Sequence, residues 1–158
     1  MSTDRVPLEA SRLRRSVGLQ GCTDALPSQI VNATILVRRR PAAGRQQRIE
    51  EIIRGDAPPL SREQAAEVLG AHPQDLRQVI DFAVSYGMTV TGSSTAQRNV
   101  KVSGTVVQME SAFCVKLHAC KIGGQTYLFY EGALTIPASL DQVIVGILGL
   151  DQRPVARP

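Results

Sequence analysis

Along "IVNATILV", residues 30–37, Val31, Ala33, Ile35 and Val37 fall on one face of an extended chain, against Ile30, Asn32, Thr34 and Leu36. A period of two in β-branched and aliphatic residues predicts a mostly buried strand. In "HPQDLRQVIDFAVSYG" the period lengthens. Leu76, Val79, Ile80 and Ala83 recur at i, i+3, i+4 and i+7 and share one helix face. Pro73 suits the first helical position, Asp75 the first turn and Gly87 the stop. "LSREQAAEVLG" predicts a shorter helix, opened by a capping box of Ser61 and Gln64 and ended at Gly70. From Pro41 to Pro59 the chain reads as loop, with one short helix at "QRIEEIIRG".

"MTVTGS" and "RNVKVSG" predict two short strands joined by the turn-rich "SSTAQ". Thr105 and Gln108 then form a second capping box, so a helix starts at Val106, with Val106, Met109 and Phe113 on one face. "CVKLHAC" and "GGQTYLFYEG" read as strands around a Gly-Gly turn, and "LTIP" as a short edge strand. "ASLDQVIVGILG" reads as a last helix ending at Gly149, and "LDQRPVARP" as an extended tail. Residues 1–27, broken by Pro7, Gly18, Gly21 and Pro27, read as an extended arm, residues 28–150 as the core, and 151–158 as the start of a linker. The order β–α–β–β–α–β, with an added hairpin and flanking helices, predicts an α+β, ferredoxin-like fold: an antiparallel sheet with two main helices on one face. That fold serves many functions and does not choose among them.

A chain of 158 residues makes one domain, and 43% apolar with 20% charged residues supports a packed core. Aromatics are 4%, with no Trp, so aliphatic side chains must fill it. The net charge is +4, and Arg5, Arg12, Arg14, Arg15, Arg38, Arg39, Arg40, Arg45, Arg48 and Arg54 all lie in roughly the first third. Such crowding is either a solvated basic surface or a face that meets an acidic macromolecule. Cys22, Cys114 and Cys120 include no C-x-x-C pair, which removes the usual metal and redox spacings. Cys114 and Cys120 either face each other across a strand or are both buried, and buried free thiols are the expectation. No apolar run approaches the ~18–20 residues of a membrane span, so no membrane role is expected. No secretory signal is visible in "MSTDRVPLEASRLRR".

Two kinds of chemistry need weighing. Ser103-Gly104-Thr105 carries the letters of a serine-peptidase nucleophile, but a nucleophile needs a base within reach and an oxyanion hole. The two histidines are placed for other tasks: His72 as a weak helix cap, His118 on the outward register of a strand next to Leu117. The triplet is therefore expected to be structural, Gly104 permitting a tight strand-to-helix turn and Thr105 capping the helix. A ferredoxin-like nucleic-acid or ligand-binding module is the alternative reading. Such RNA-binding domains stack bases on aromatics of their central strands. Tyr127, Phe129 and Tyr130 supply aromatics to one strand and "IVNATILV" supplies none, so packing into the core or an interface is expected instead.

Three segments taken in order, "SREQAAEVLGAHPQDLRQVIDFAVSYGMTV", "VKVSGTVVQMESAFCVKL" and "IPASLDQVIVGILGLDQRPVARP", resemble the activation prodomain of the sedolisin (serine-carboxyl) peptidases, most closely the kumamolisin branch. The likeness runs from "RVPLEASRL" through "LVRRRP" to "GLDQRP". It implies a subtilisin-propeptide-like fold and a domain that assists folding of a secreted peptidase, covers its active site and is removed autocatalytically in acid. It also implies that the catalytic serine, glutamate and aspartate, and a calcium site, lie in a peptidase domain outside these residues, so no catalytic residue and no cofactor is expected here. The family's nucleophile motif is Ser-Gly-Thr-Ser, whereas Val106 follows Thr105 here. The expected partner is a cognate peptidase domain, in cis or in trans, and not a nucleic acid. Arg38, Arg39, Arg40, Leu150, Asp151, Arg153 and Pro154 are the residues expected to face it or to begin the linker toward its cleft. Pro154 and Pro158 suit that role because they disfavour helix and limit the entropy lost on docking.

Overall fold

The computed structural model describes residues 4–11, 22–40 and 44–153. Its centre is a four-stranded antiparallel sheet in the order β4-β5-β3-β9, where β3 is Ile30–Val37, β4 Thr89–Ser94, β5 Asn99–Thr105 and β9 Ile144–Leu148. Helices α3, Pro73–Ser85, and α4, Val106–Phe113, complete the ferredoxin-like β–α–β–β–α–β unit. The alternation in β3 is realised: Val31, Ala33, Ile35 and Val37 are buried, together with Val100 and Val102 of β5. Val79 and Ala83 of α3 and Val106, Met109 and Phe113 of α4 belong to the same core, with Phe82 tilted against Phe113 at 5.9 Å between ring centroids. Both main helices therefore cover one face of the sheet, as the sequence predicts.

The helix starts follow local chemistry. His72 Nδ1 accepts from the Gln74 amide at 3.1 Å, the weak cap expected of it. Ser61 with Gln64 opens α2, Arg62–Leu69, and Thr105 with Gln108 opens α4; both boxes are closed by reciprocal hydrogen bonds. Helix α1, Arg45–Arg54, also forms, and neither α1 nor α2 buries a residue.

The last helix expected does not form. A 3₁₀ turn at Ala138–Leu140 leads instead into β9, the fourth strand of the central sheet, paired with β3. Leu140, Val143, Ile144 and Ile147 recur at helical spacing and are all at least partly buried. The turn and a register shift at Leu36/Val37 produce that spacing without a helix. The β-branched run Val143-Ile144-Val145 favours extended backbone.

The hairpin of β6, Leu117–Ile122, and β7, Gln125–Tyr130, forms a second sheet with β2, Thr23–Asp24. The first residues are more than an arm. Strand β1, Arg5–Pro7, pairs with β8, Thr135–Pro137, and Leu8 is buried. The Arg5 guanidinium donates to Thr135 O at 2.7 Å, to Tyr86 Oη at 3.2 Å and to Ala112 O, closing the C-terminal end of α4. The cysteine expectation is also corrected. Cys22 and Cys120 form a disulfide with Cα atoms 4.3 Å apart, and Cys114, at the left-handed C-cap of α4, is an exposed free thiol.

Candidate docking surface

With α3 and α4 on one face of the central sheet, the opposite face stays open. It presents the second register of β3 and β5, from Ile30, Asn32 and Thr34 to Lys101 and Ser103. Ile30 is 61% and Leu148 57% exposed on this face. A shallow hollow of about 230 Å³ opens there, lined by Asn32, Thr34, Thr91, Lys101, Leu148 and Gly149.

The chain leaves the sheet at the edge of this hollow. Gly149 adopts φ +103°, and Leu150 behind it is 1% exposed. The Gln152 amide donates to Leu128 O at 2.8 Å, and the Leu128 amide to Gln152 Oε1 at 3.3 Å, fastening the segment to β7. Arg153 Nε and Nη2 donate to the Asp151 carboxylate at 2.8 and 3.0 Å, and the guanidinium lies over the Phe129 ring, 5.0 Å from its centroid. Hydrogen bonding to Asp151 raises the Arg153 pKa. On β6, His118 rests against Phe129 at 5.3 Å, and its Nδ1 is 3.7 Å from the Asp24 carboxylate.

The residues singled out from sequence divide accordingly. Arg38 donates to both oxygens of Asp75, at 2.8 and 3.3 Å, and that hydrogen bond raises its pKa. Its charge is answered within the fold, as is that of Arg153. Arg39 is exposed, and Arg40 is half-buried with its amide donating to Gly70 O at 2.9 Å. Leu150 packs in the core rather than facing outward. Pro154 lies outside the described residues.

Ser103 lies within β5 between Asn32 and Thr89, while both histidines sit on other elements, α3's cap and β6. Thr105 caps α4, as expected. Gly104 is needed for space: a Cβ there would come 2.8 Å from Gln108 Oε1 and 2.9 Å from Met88 Cγ. Phe129 and Tyr130 are buried, and Tyr127 donates to Gln125 Oε1, so the aromatics of β7 offer no open stacking platform.

The model of the family described as Pro-kumamolisin, activation domain, matches residues 20–153. The chain belongs to that family. This activation domain is 35% identical over 99 residues to kumamolisin of Bacillus sp. (strain MN-32), covering 63% of the chain and 18% of the relative. It is 24% identical over 168 aligned positions to tripeptidyl-peptidase sed5 of Aspergillus fumigatus, covering 93% of the chain and 28% of that relative. The chain thus spans less than a third of either peptidase. The match includes β3, α3, β4, β5, α4 and β9, every element of the ferredoxin-like unit.

The activation domain carries one titration marker of its own. The Tyr130 hydroxyl donates to Ser11 O at 2.7 Å, and burial, aided by the Asp151 charge, raises its pKa above 10.0. Folding therefore favours the protonated phenol. That stability is fully present below the unfolded value of about 10 and is lost as pH rises through the higher folded one. In an alkaline ultraviolet titration, Tyr130 should ionise above the ordinary tyrosine value of about 10. Tyr130→Phe should remove that step; an unchanged profile would refute the assignment.

Proposed function

We propose that this domain is the non-catalytic prodomain of a secreted, acid-acting serine-carboxyl endopeptidase. In this reading it templates folding of the peptidase domain, covers its active site and is removed by autoproteolysis at low pH. The observation that carries the proposal is the open sheet face, with Ile30 and Leu148 exposed, lying next to the point where the chain is led away through Leu150–Arg153. A partner seated on that face would be met by a tail whose start is already fixed, and preorganisation of this kind lowers the entropy lost on docking. Residues 151–158 then begin the linker toward the cleft. The catalytic serine, glutamate and aspartate belong to the partner domain, as does calcium. Among the described residues no three His, Cys, Asp or Glu side chains are grouped to hold a metal ion. The Cys22–Cys120 disulfide suits an oxidising, extracellular setting.

The partner is inferred to be protein rather than nucleic acid, because the central strands present Asn32, Thr34, Lys101 and Ser103 rather than aromatics. Exposed Arg39 is left to pair with its carboxylates, with Arg40 beside it. A carboxylate paired in the complex has a lowered pKa. Its contribution exists above the free carboxylate value and is lost as pH falls through the lowered one, which would release the prodomain in acid. The chain added in trans to a matching mature peptidase should inhibit it at about pH 6–7 and release it on acidification. Absence of inhibition near neutrality would reject the proposal.

A further inference from the structure

We propose that Lys101 is the charged pin of the docking face and receives a carboxylate of the peptidase domain that covers it, an inference that rests on the prodomain reading above. Lys101 is exposed midway along β5, an interior strand of the central sheet. Its cross-strand neighbours are Thr34 of β3 and Gly92 of β4. Asn32, Thr91 and Leu148 complete the surroundings of the hollow it lines. Strands β3, β4 and β9 carry no titratable or charged residue, and among the described residues no carboxylate forms an ion pair with Lys101. Arg38 and Arg153 are each held by an aspartate of this chain, so the internal pairing that occupies those two cations is missing at Lys101.

This placement dictates the chemistry of the partner. Covering the face removes water from a central ammonium, and a desolvated charge is tolerated only when paired. The surrounding hydroxyls and amide offer oxygens but no net negative charge. A carboxylate from the partner would supply the missing charge and, fitting the hollow, set the register of docking over an otherwise weakly directional surface. Such a carboxylate would be ionised at neutral pH and would lose its hold when protonated, which places one acid-labile contact of the complex at a named residue.

The experiment measures binding of the full chain to an active-site-blocked matching mature peptidase, at about pH 7 and again at about pH 4. Lys101→Gln, Lys101→Glu, Lys101→Arg and, on the exposed side of α3, Arg77→Gln are compared with the unsubstituted chain. Each variant should melt like the original, because Lys101 and Arg77 are solvent-exposed. Lys101→Gln should weaken binding about 10- to 100-fold at neutral pH and flatten the loss on acidification. Lys101→Glu should weaken it further, while Lys101→Arg and Arg77→Gln should stay within a few-fold. If the original chain binds and Lys101→Gln matches it at both pH values, the Lys101 inference falls and the prodomain reading stands. If Lys101→Arg loses as much as Lys101→Gln, the role of charge is refuted. If the original chain does not bind at all, both fall.

Discussion

Reduction of the Cys22–Cys120 disulfide is expected to lower the unfolding free energy by about 2–4 kcal/mol and the melting temperature by about 5–15 °C. The cross-link joins residues 98 apart in sequence, so it restricts much of the unfolded chain. Loop-closure entropy alone would give about 4.7 kcal/mol for a loop of this order, and measured bridges usually deliver less. Among the described residues, the strand pairing beside Cys22 is short, with Ala25 donating its amide to Leu117 O at 3.1 Å just beyond it. Strand β2 has two residues, paired as Thr23 with Ala119 and Asp24 with His118. Asp24 is 71% exposed; its ion pair with Lys116 at 3.8 Å is of the kind worth about 0–1 kcal/mol, and His118 Nδ1 lies 3.7 Å away. Cutting the bond should therefore loosen β2 from β6 as well as lower the global melt. Thermal unfolding with and without reductant, repeated on Cys22→Ser, measures the effect. Cys114→Ser is the control and should shift stability by less than about 0.5 kcal/mol, its thiol being exposed. Equal melting of the oxidised and reduced protein would overturn the argument.

The sequence was most legible where one local rule governed each residue. The alternation in β3, the stripe of α3 and the two capping boxes needed no knowledge of the rest of the chain, and they carry most of the ferredoxin-like unit. It was least legible where partners lie far apart in sequence. The β1–β8 pairing joins Val6 to Ile136, and the disulfide joins Cys22 to Cys120; neither leaves a mark in local periodicity. Strand β9 reads as helix in sequence because a turn and a bulge imitate the helical period, although its β-branched residues point the other way. The docking face shows the same division. Arginine crowding points to Arg38 and the family resemblance to Arg153, whose partners Asp75 and Asp151 only the fold identifies. In sequence, Lys101 reads only as pointing away from Val100 and Val102 in its strand, because being unpaired is a property of the assembled sheet.

Gly149→Ala is expected to destabilise the domain by about 2–4 kcal/mol. Two causes act at this position. Its φ of +103° lies where L side chains are strained, and a Cβ would come 2.5 Å from Asn32 O and 3.3 Å from Ala33 Cα. Both obstacles are backbone of the central strand β3, so no flexible side chain can yield. Gly55 separates the two causes: its φ is +82°, and nothing lies within 4 Å of the position a Cβ would take. Gly55→Ala should therefore show the conformational part alone, about 1 kcal/mol. Urea unfolding of both variants should give a lower midpoint for Gly149→Ala with an unchanged slope, which would mark a stability change rather than a different unfolded state. If Gly149→Ala is no worse than Gly55→Ala, the close approach to β3 has no energetic weight. The same contact bears on function. Gly149 lines the hollow beside Lys101 and immediately precedes buried Leu150, so lifting it off β3 would shift both the docking face and the start of the tail. Binding to the peptidase should then fall even under conditions where Gly149→Ala remains folded, while Gly55→Ala, which does not line the hollow, binds as the original chain does.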